Sequence, residues 1–470
     1  MSNNRIHAFG PDVLADYDAV ALADLVRRRE VSPAELAEAA VARVEQVNDT
    51  LHAVEVADYE RALGGAGRPR EGLLVGVPTF VKDNTNLRGL PTGYGSQAVP
   101  RRPADADGAF ARQYLSLGLT VLGKTTLSEF GLNSTTEYQG LPPTRNPWQT
   151  DYSCGGSSGG SAALVAAGAV PIAHGNDGGG SIRIPAACCG LVGMKASRGR
   201  LVEGEMARML PIKIIVEGVL TRTVRDTAHF FAGAERYWCN RKLPPLGLVE
   251  GPATRRLTIG LVMDSISGCR TCPETRSVVE QTAVLLQSLG HRVEEIPPPV
   301  SQFFNDDFAD YWSFLAFMVS RFGHRRFGNE FEASRLDDLT RGLATRFRHR
   351  SWRLPMMLLR SPWTFRQHGR AVKNCNVVLS PVLCHVTPKL GYLSPEVPFA
   401  ELFQRMRKYV SFTPINNASG SPAIALPMGA AENGLPIGVQ LSAAHGGDRM
   451  LLEIAYELEQ ARVWRRISDG

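Results

Sequence analysis

The chain has 470 residues, of which 44% are hydrophobic and 21% charged, with a formal net charge of +6. That is an ordinary globular composition, and so small a charge gives no argument for nucleic acid, which calls for clustered basic residues. No apolar run reaches the ~18 residues of a membrane span, and the opening stretch MSNNRIHAFGPDVLADYDAV lacks the apolar core of a secretory signal. The 8 cysteines are too spread out for a disulfide framework, so the expectation is a cytoplasmic protein with reduced thiols.

In chain order, the first clear signal is Ser32-Pro33-Ala34-Glu35. It combines an N-cap serine, proline at the first helical position and glutamate at the third, a capping box. Leu36, Ala40, Val44 and Val47 then recur at helical spacing. Residues 1–70 are therefore expected to be an N-terminal helical segment without chemistry of its own.

From residue 72 short apolar runs alternate with helical segments. Leu73–Val81, Leu119–Leu122, Val170–Ala173, Leu257–Met263, His291–Ile296, Val377–Leu379, Ala423–Leu426 and Ile437–Leu441 read as strands, with a helix at Thr275–Leu289. Continuous apolar strands imply a sheet covered on both faces. The expected fold class is α/β: a central mixed or parallel sheet flanked by helices, one domain over 1–470 with a catalytic core at 72–200. Residues 300–373 differ, being aromatic and helical. Between Arg341 and Lys373 they carry nine Lys/Arg and no Asp/Glu. They read as a helical insertion shaping a substrate pocket, with a membrane-surface role as the weaker reading.

Residues 151–200 carry the chemistry: DYSCGGSSGGSAALVAAGAVPIAHGNDGGGSIRIPAACCGLVGMKASRGR. Glycine at this density costs chain entropy and needs a reason. A run such as Gly178-Gly179-Gly180-Ser181 can aim successive backbone N–H groups into one space, which suits an oxyanion. Ser181 at its end is a candidate nucleophile, but a serine hydroxyl needs a base. Neither His174 nor His445 is tied to it by spacing. Lys82, after an apolar run in VKDN, qualifies if burial or nearby positive charge lowers its pKa. No GxxxxGK[ST] phosphate loop is present, and the Cys269-Arg270-Thr271-Cys272 pair has no second pair to complete a zinc site.

These residues resemble the amidase signature family. The likeness is carried by GGSSGGSAALVAAGAVPIAHGNDGGGSIRIPAACCGLVGMKASRGR, GVPTFVKDN around Lys82, LGKTTLSEFG, RNPW and FTPINNASGSPAIALP. The resemblance implies an amide hydrolase with Lys82 as base, Ser157 as a bridging serine on a cis peptide bond and Ser181 as acyl-accepting nucleophile. It implies an oxyanion hole at Gly178, Gly179, Gly180 and Ser181, support from Ser158, Asp177 and Arg183, no metal or organic cofactor, a small-molecule amide as partner and a possible homodimer. Glu129, Phe130 and Gly131 are the expected near wall of the substrate pocket, with Asn416 and Asn417 as weaker candidates. Two positions depart from the usual pattern: Asn176 replaces a threonine before Asp177, and Gly178 stands where a larger residue is frequent. The HGND form is similar to hydrolases of cyclic or linear amide oligomers. A glutaminase-type subunit of a tRNA-dependent amidotransferase, an esterase and a catalytically inactive binding protein remain alternatives.

Overall fold

The computed structural model describes residues 5–469 apart from Ser267, so Met1–Asn4 of the opening stretch and Gly470 lie outside it. The helix Pro33–Leu51 starts where its capping residues predict. Ser32 Oγ accepts the Glu35 N–H at 3.2 Å, and the Glu35 carboxylate accepts the Ser32 N–H at 2.8 Å. Leu36, Ala40, Val44 and Val47 are fully buried along one stripe. The N-terminal segment is not wholly helical, because Val54–Ala57 forms a strand, β1. Its four residues are too few for alternation to reveal it.

The remaining strands are β2 (Pro78–Lys82), β3 (Thr120–Thr125), the hairpin β4 (Arg145–Asn146) and β5 (Gln149–Ser153), β6 (Ile172–Asp177), β7 (Val192–Lys195) and β8 (Val216–Thr221). They continue with β9 (Thr258–Leu261), β10 (Arg292–Glu295), β11 (Val377–Pro381), β12 (Ala423–Ala430) and β13 (Pro436–Ala443). Eight of them make one mixed sheet in the order β10-β9-β11-β13-β12-β7-β8-β6. The β10–β9 and β9–β11 pairings are parallel, and every pairing from β11 across to β6 is antiparallel. Strands β6, β7, β8, β11 and β13 are buried along their whole length, as a sheet with helices on both faces requires.

A second sheet, β1-β3-β2, meets the first at its β6 edge. Thr79 donates its hydroxyl to the Ile172 carbonyl at 2.9 Å, and the Lys82 N–H donates to His174 Nδ1 at 3.2 Å. This joint sets the end of β2, which is Lys82, beside the end of β6, which carries Asn176 and Asp177.

Two local differences from the sequence reading have physical causes. The run Leu73–Val81 becomes a strand only from Pro78, because Gly76 turns the chain at φ +76° and its N–H bonds back to Gly118. Strands β7 and β8 lack an unbroken apolar run because each contains a glycine. At Gly193 a Cβ would lie 2.6 Å from the Ala186 methyl, so the helix Arg183–Cys189 packs directly on the strand. The segment 300–373 contains helices Phe304–Phe327, Asp338–Arg350 and Leu354–Asn374. Its basic run has an internal use: Arg346, Arg350 and Arg353 converge on buried Asp310 at 2.8, 3.0 and 2.6 Å. No helix among the described residues is long and apolar enough to cross a membrane.

Replacing fully buried Leu36 with alanine removes packing on the N-terminal helix. The expected cost is about 2–5 kcal/mol, read as a lower urea midpoint.

Candidate active site

The Lys82 side chain is fully buried at the β2–β6 joint. Its Nζ lies 2.8 Å from Ser157 Oγ, 2.9 Å from Ser158 Oγ and 2.8 Å from Asn176 Oδ1. Burial pulls its pKa down to about 7, only partly opposed by the carboxylates of Glu217 and Asp177. His174, which spacing alone could not place, braces this lysine from behind. Its Nδ1 accepts the Lys82 N–H, so its protonated Nε2 faces the Glu217 carboxylate at 3.0 Å. Asn176, noted in the sequence only as a departure, is the amide oxygen on which Lys82 rests.

Ser157 follows a cis peptide bond from Gly156. It opens the turn into the helix Gly159–Ala166, after which β6 runs back and delivers the glycine loop to the same place. The two loops are tied where the Ser158 N–H donates to the Ser181 carbonyl at 3.3 Å. Gly180 has φ +132°, and a Cβ there would lie 2.3 Å from Thr413 Oγ1, so only glycine fits.

Behind the loop stands a buried ion pair. Arg183 Nε and Nη2 each lie 2.9 Å from the Asp177 carboxylate. The remaining guanidinium hydrogens go to Asn416 Oδ1 (3.2 Å), Gln440 Oε1 (2.6 Å) and Asn417 Oδ1 (2.7 Å). All five donors are thereby used. Burial works against the charge on Asp177, but the Arg183 guanidinium and the Asn417 amide hold its pKa down at about 2. The carboxylate in turn accepts the N–H groups of Gly180 at 2.7 Å and Ile182 at 3.2 Å.

That arrangement corrects two expectations. The Gly180 N–H is spent inward on Asp177, which leaves Gly178, Gly179 and Ser181, but not Gly180, lining the cavity. Asn416 and Asn417 hold Arg183 and do not line the cavity wall. The cavity, about 950 Å³ including its mouth, is mostly apolar, with Phe130, Ile184, Ile215, Phe308, Trp312 and Met406 among its walls. Phe130 and Gly131 belong to it as expected, but Glu129 does not. The chain turns sharply at Phe130 (φ +48°). The Glu129 carboxyl thus points away, accepting from Ser96 Oγ (2.6 Å), the Asp337 N–H (3.0 Å) and Thr340 Oγ1 (2.6 Å). Burial, with Asp337 nearby, pushes its pKa up to about 8. Glu129 therefore anchors the helix Asp338–Arg350 to the wall. The wall from Phe304–Phe327 lies in the aromatic helical segment 300–373 read from the sequence as shaping a pocket, whereas the wall from Ile214–Ile215 carried no sequence signal beyond its apolar character. Among the described residues no cluster of His, Cys, Asp and Glu suits a metal ion.

The fold is that of an amide-bond hydrolase family. A family model described as Amidase matches residues 35–452, and the chain belongs to the amidase signature family. Among its relatives is "Putative amidase AmiC" of Mycobacterium tuberculosis (strain ATCC 25618 / H37Rv), 48% identical over 467 residues, covering 99% of this chain and 98% of the relative. The 6-aminohexanoate-cyclic-dimer hydrolase of Pseudomonas sp. (strain NK87) is 31% identical, with 95% of each chain covered. A solved structure of 6-aminohexanoate cyclic dimer hydrolase superposes with a TM-score of 0.86 at 29% identity, covering 98% of this chain and 99% of the other.

Arg183→Met would leave the Asp177 carboxylate buried without its cation, at an expected cost of about 3–5 kcal/mol. Adding Asp177→Asn should recover part of that loss, because the uncompensated charge disappears. Urea unfolding of the two single variants and the double variant checks this; simple additivity would contradict the pairing.

Proposed function

We propose that this protein hydrolyses carboxamide C–N bonds through an acyl-enzyme on Ser181, with Ser157 as proton bridge and Lys82 as base. The observation that carries the reading is the buried, three-fold contact of Lys82 Nζ. Its neighbours order the protons. Asn176 Oδ1 can only accept, so it takes one N–H of the neutral amine. Ser158 Oγ lies 3.4 Å from the Asn176 carbonyl, to which it donates, and it takes the second N–H. The remaining lone pair then faces Ser157, whose hydroxyl donates to it.

As Lys82 takes the Ser157 proton, Ser157 Oγ takes that of Ser181, and Ser181 Oγ bonds to the substrate carbonyl carbon. The carbonyl π electrons move to oxygen, where the N–H groups of Gly178, Gly179 and Ser181 stabilise the charge. Collapse breaks the C–N bond. The nitrogen takes the proton from Ser157, which regains one from Lys82. Water then releases the carboxylate by the same relay. Asp177 and Arg183 act at one remove, fixing the loop that carries the nucleophile.

The apolar cavity suits a substrate with hydrocarbon or aromatic bulk. It fits amide oligomers of the kind named for the cyclic-dimer hydrolase better than the short polar amide of glutamine. The test is hydrolysis of an acyl-amide panel of increasing chain length by the purified protein beside Ser181→Ala and Lys82→Ala. Both variants should lose at least about 10⁴-fold in kcat while keeping the wild-type circular dichroism. Retained turnover in Ser181→Ala would overturn the mechanism.

A further inference from the structure

One charged side chain lines the cavity that holds Ser181. Among the described residues of its wall, Arg407 alone carries a charge, and it stands beside Phe304, Phe308, Trp312, Met406 and Val410. It belongs to the helix Phe399–Tyr409. Its side chain is 38% exposed, which places it where the cavity opens to solvent.

Two contacts fix the guanidinium. Arg407 Nη2 lies 2.9 Å from Asp306 Oδ1, and its Cζ lies 5.8 Å from the centre of the Phe403 ring. Asp306 is in the first turn of the helix Phe304–Phe327, two residues before Phe308. The Phe308 ring in turn reaches the nucleophile loop, where a Cβ on Gly179 would meet its Cζ at 3.4 Å. The start of one helix therefore touches the loop of Ser181 through Phe308 and holds Arg407 through Asp306.

Asp306 is the one hydrogen-bond partner of the Arg407 side chain among the described residues, and it accepts from Nη2. Nη1 and Nε are left for another acceptor. The surroundings are positive as well. The ion pairs at this end of the helix join Arg346, Arg350, Arg353, Arg360 and Arg407 to Asp306, Asp307 and Asp310, five cations against three anions. A carboxylate arriving there is drawn by the excess positive charge and meets a planar donor fork that suits its two oxygens.

We infer that Arg407 receives a carboxylate at the far end of the substrate's hydrocarbon part, so that the cavity selects amides with a terminal carboxylate over uncharged amides of the same length. The inference rests on the hydrolase reading above. The apolar walls hold the hydrocarbon part, and by themselves they disfavour an anion, which loses solvation on leaving water. A preference for the charged substrate is therefore the signature of Arg407. The carboxylate sits either on the acyl part or on the departing amine; both offer Arg407 the same group, and the test separates them.

The test uses two series of amides with graded methylene spacers. In one, the carboxylate ends the acyl chain of an anilide; in the other, it ends the alkyl chain of the departing amine. Each compound is paired with its methyl ketone, which is uncharged and of similar shape. In one of the two series the wild type should show about 10-fold higher kcat/KM for the carboxylate, and that series identifies the end that Arg407 reads. The preference should lie in KM, because a remote contact is equally strong in ground and transition states. It should shrink as salt rises from about 20 to 300 mM. Arg407→Met should abolish it, and Arg407→Lys should keep part of it. A wild type that favours the methyl ketone in both series, or a carboxylate preference that survives in Arg407→Met, would overturn the inference and leave the proposed hydrolase intact. No turnover of any amide in either series would remove the hydrolase reading and this one with it.

Discussion

A lysine amine enclosed in protein is the constraint on which the rest depends. Removing Lys82 from water disfavours its charged form, and the two acidic groups whose fields reach it, Glu217 and Asp177, are each committed elsewhere, to His174 and Arg183. The cost of burying the amine is contained because each of its neighbours is an uncharged oxygen at hydrogen-bond distance. Those neighbours come from two segments, the Ser157–Ser158 turn and the end of β6, while the lysine itself ends β2. Moving any of the three would leave an unpaired polar group in the interior.

The strong ion pair of the site lies one layer behind. Asp177 and Arg183 neutralise each other, and three side-chain amides use the guanidinium hydrogens that remain. Because Asp177 also accepts the Gly180 N–H, the pair sets the path of the chain immediately before Ser181. The charge of this pair is thus held behind the cavity wall and used to shape the loop. The cavity wall itself stays mostly apolar.

Much of this was legible in the sequence where local chemistry decides. Ser32 and Glu35 announced their helix because a cap needs only four residues, and the glycines around Ser157 and Ser181 announced backbone geometry that other residues resist. The link from Lys82 to Ser157 spans 75 residues and two sheets, which periodicity cannot encode; the family resemblance supplied it. Neighbours in sequence do not tell that Glu129 turns to Ser96, Asp337 and Thr340 while Phe130, in a left-handed conformation, faces the cavity. A glycine run does not say which N–H turns inward, and here the Gly180 N–H goes to Asp177. The contribution of His174 depends on tertiary neighbours, and no spacing in the chain points to it.

The central claim is that an uncharged Lys82 activates Ser181. The measurement that reaches it most directly is the rate at which a fluorophosphonate probe labels the protein as a function of pH, with the modified residue located by mass spectrometry. Burial lowers the Lys82 pKa to about 7, so the amine is protonated and inactive below that pH and free to accept a proton above it. The account predicts labelling at Ser181, with a rate that climbs through about pH 7 to a plateau and is abolished in Lys82→Ala. Labelling at another residue, or a Ser181 rate that stays flat across that pH range, would contradict it.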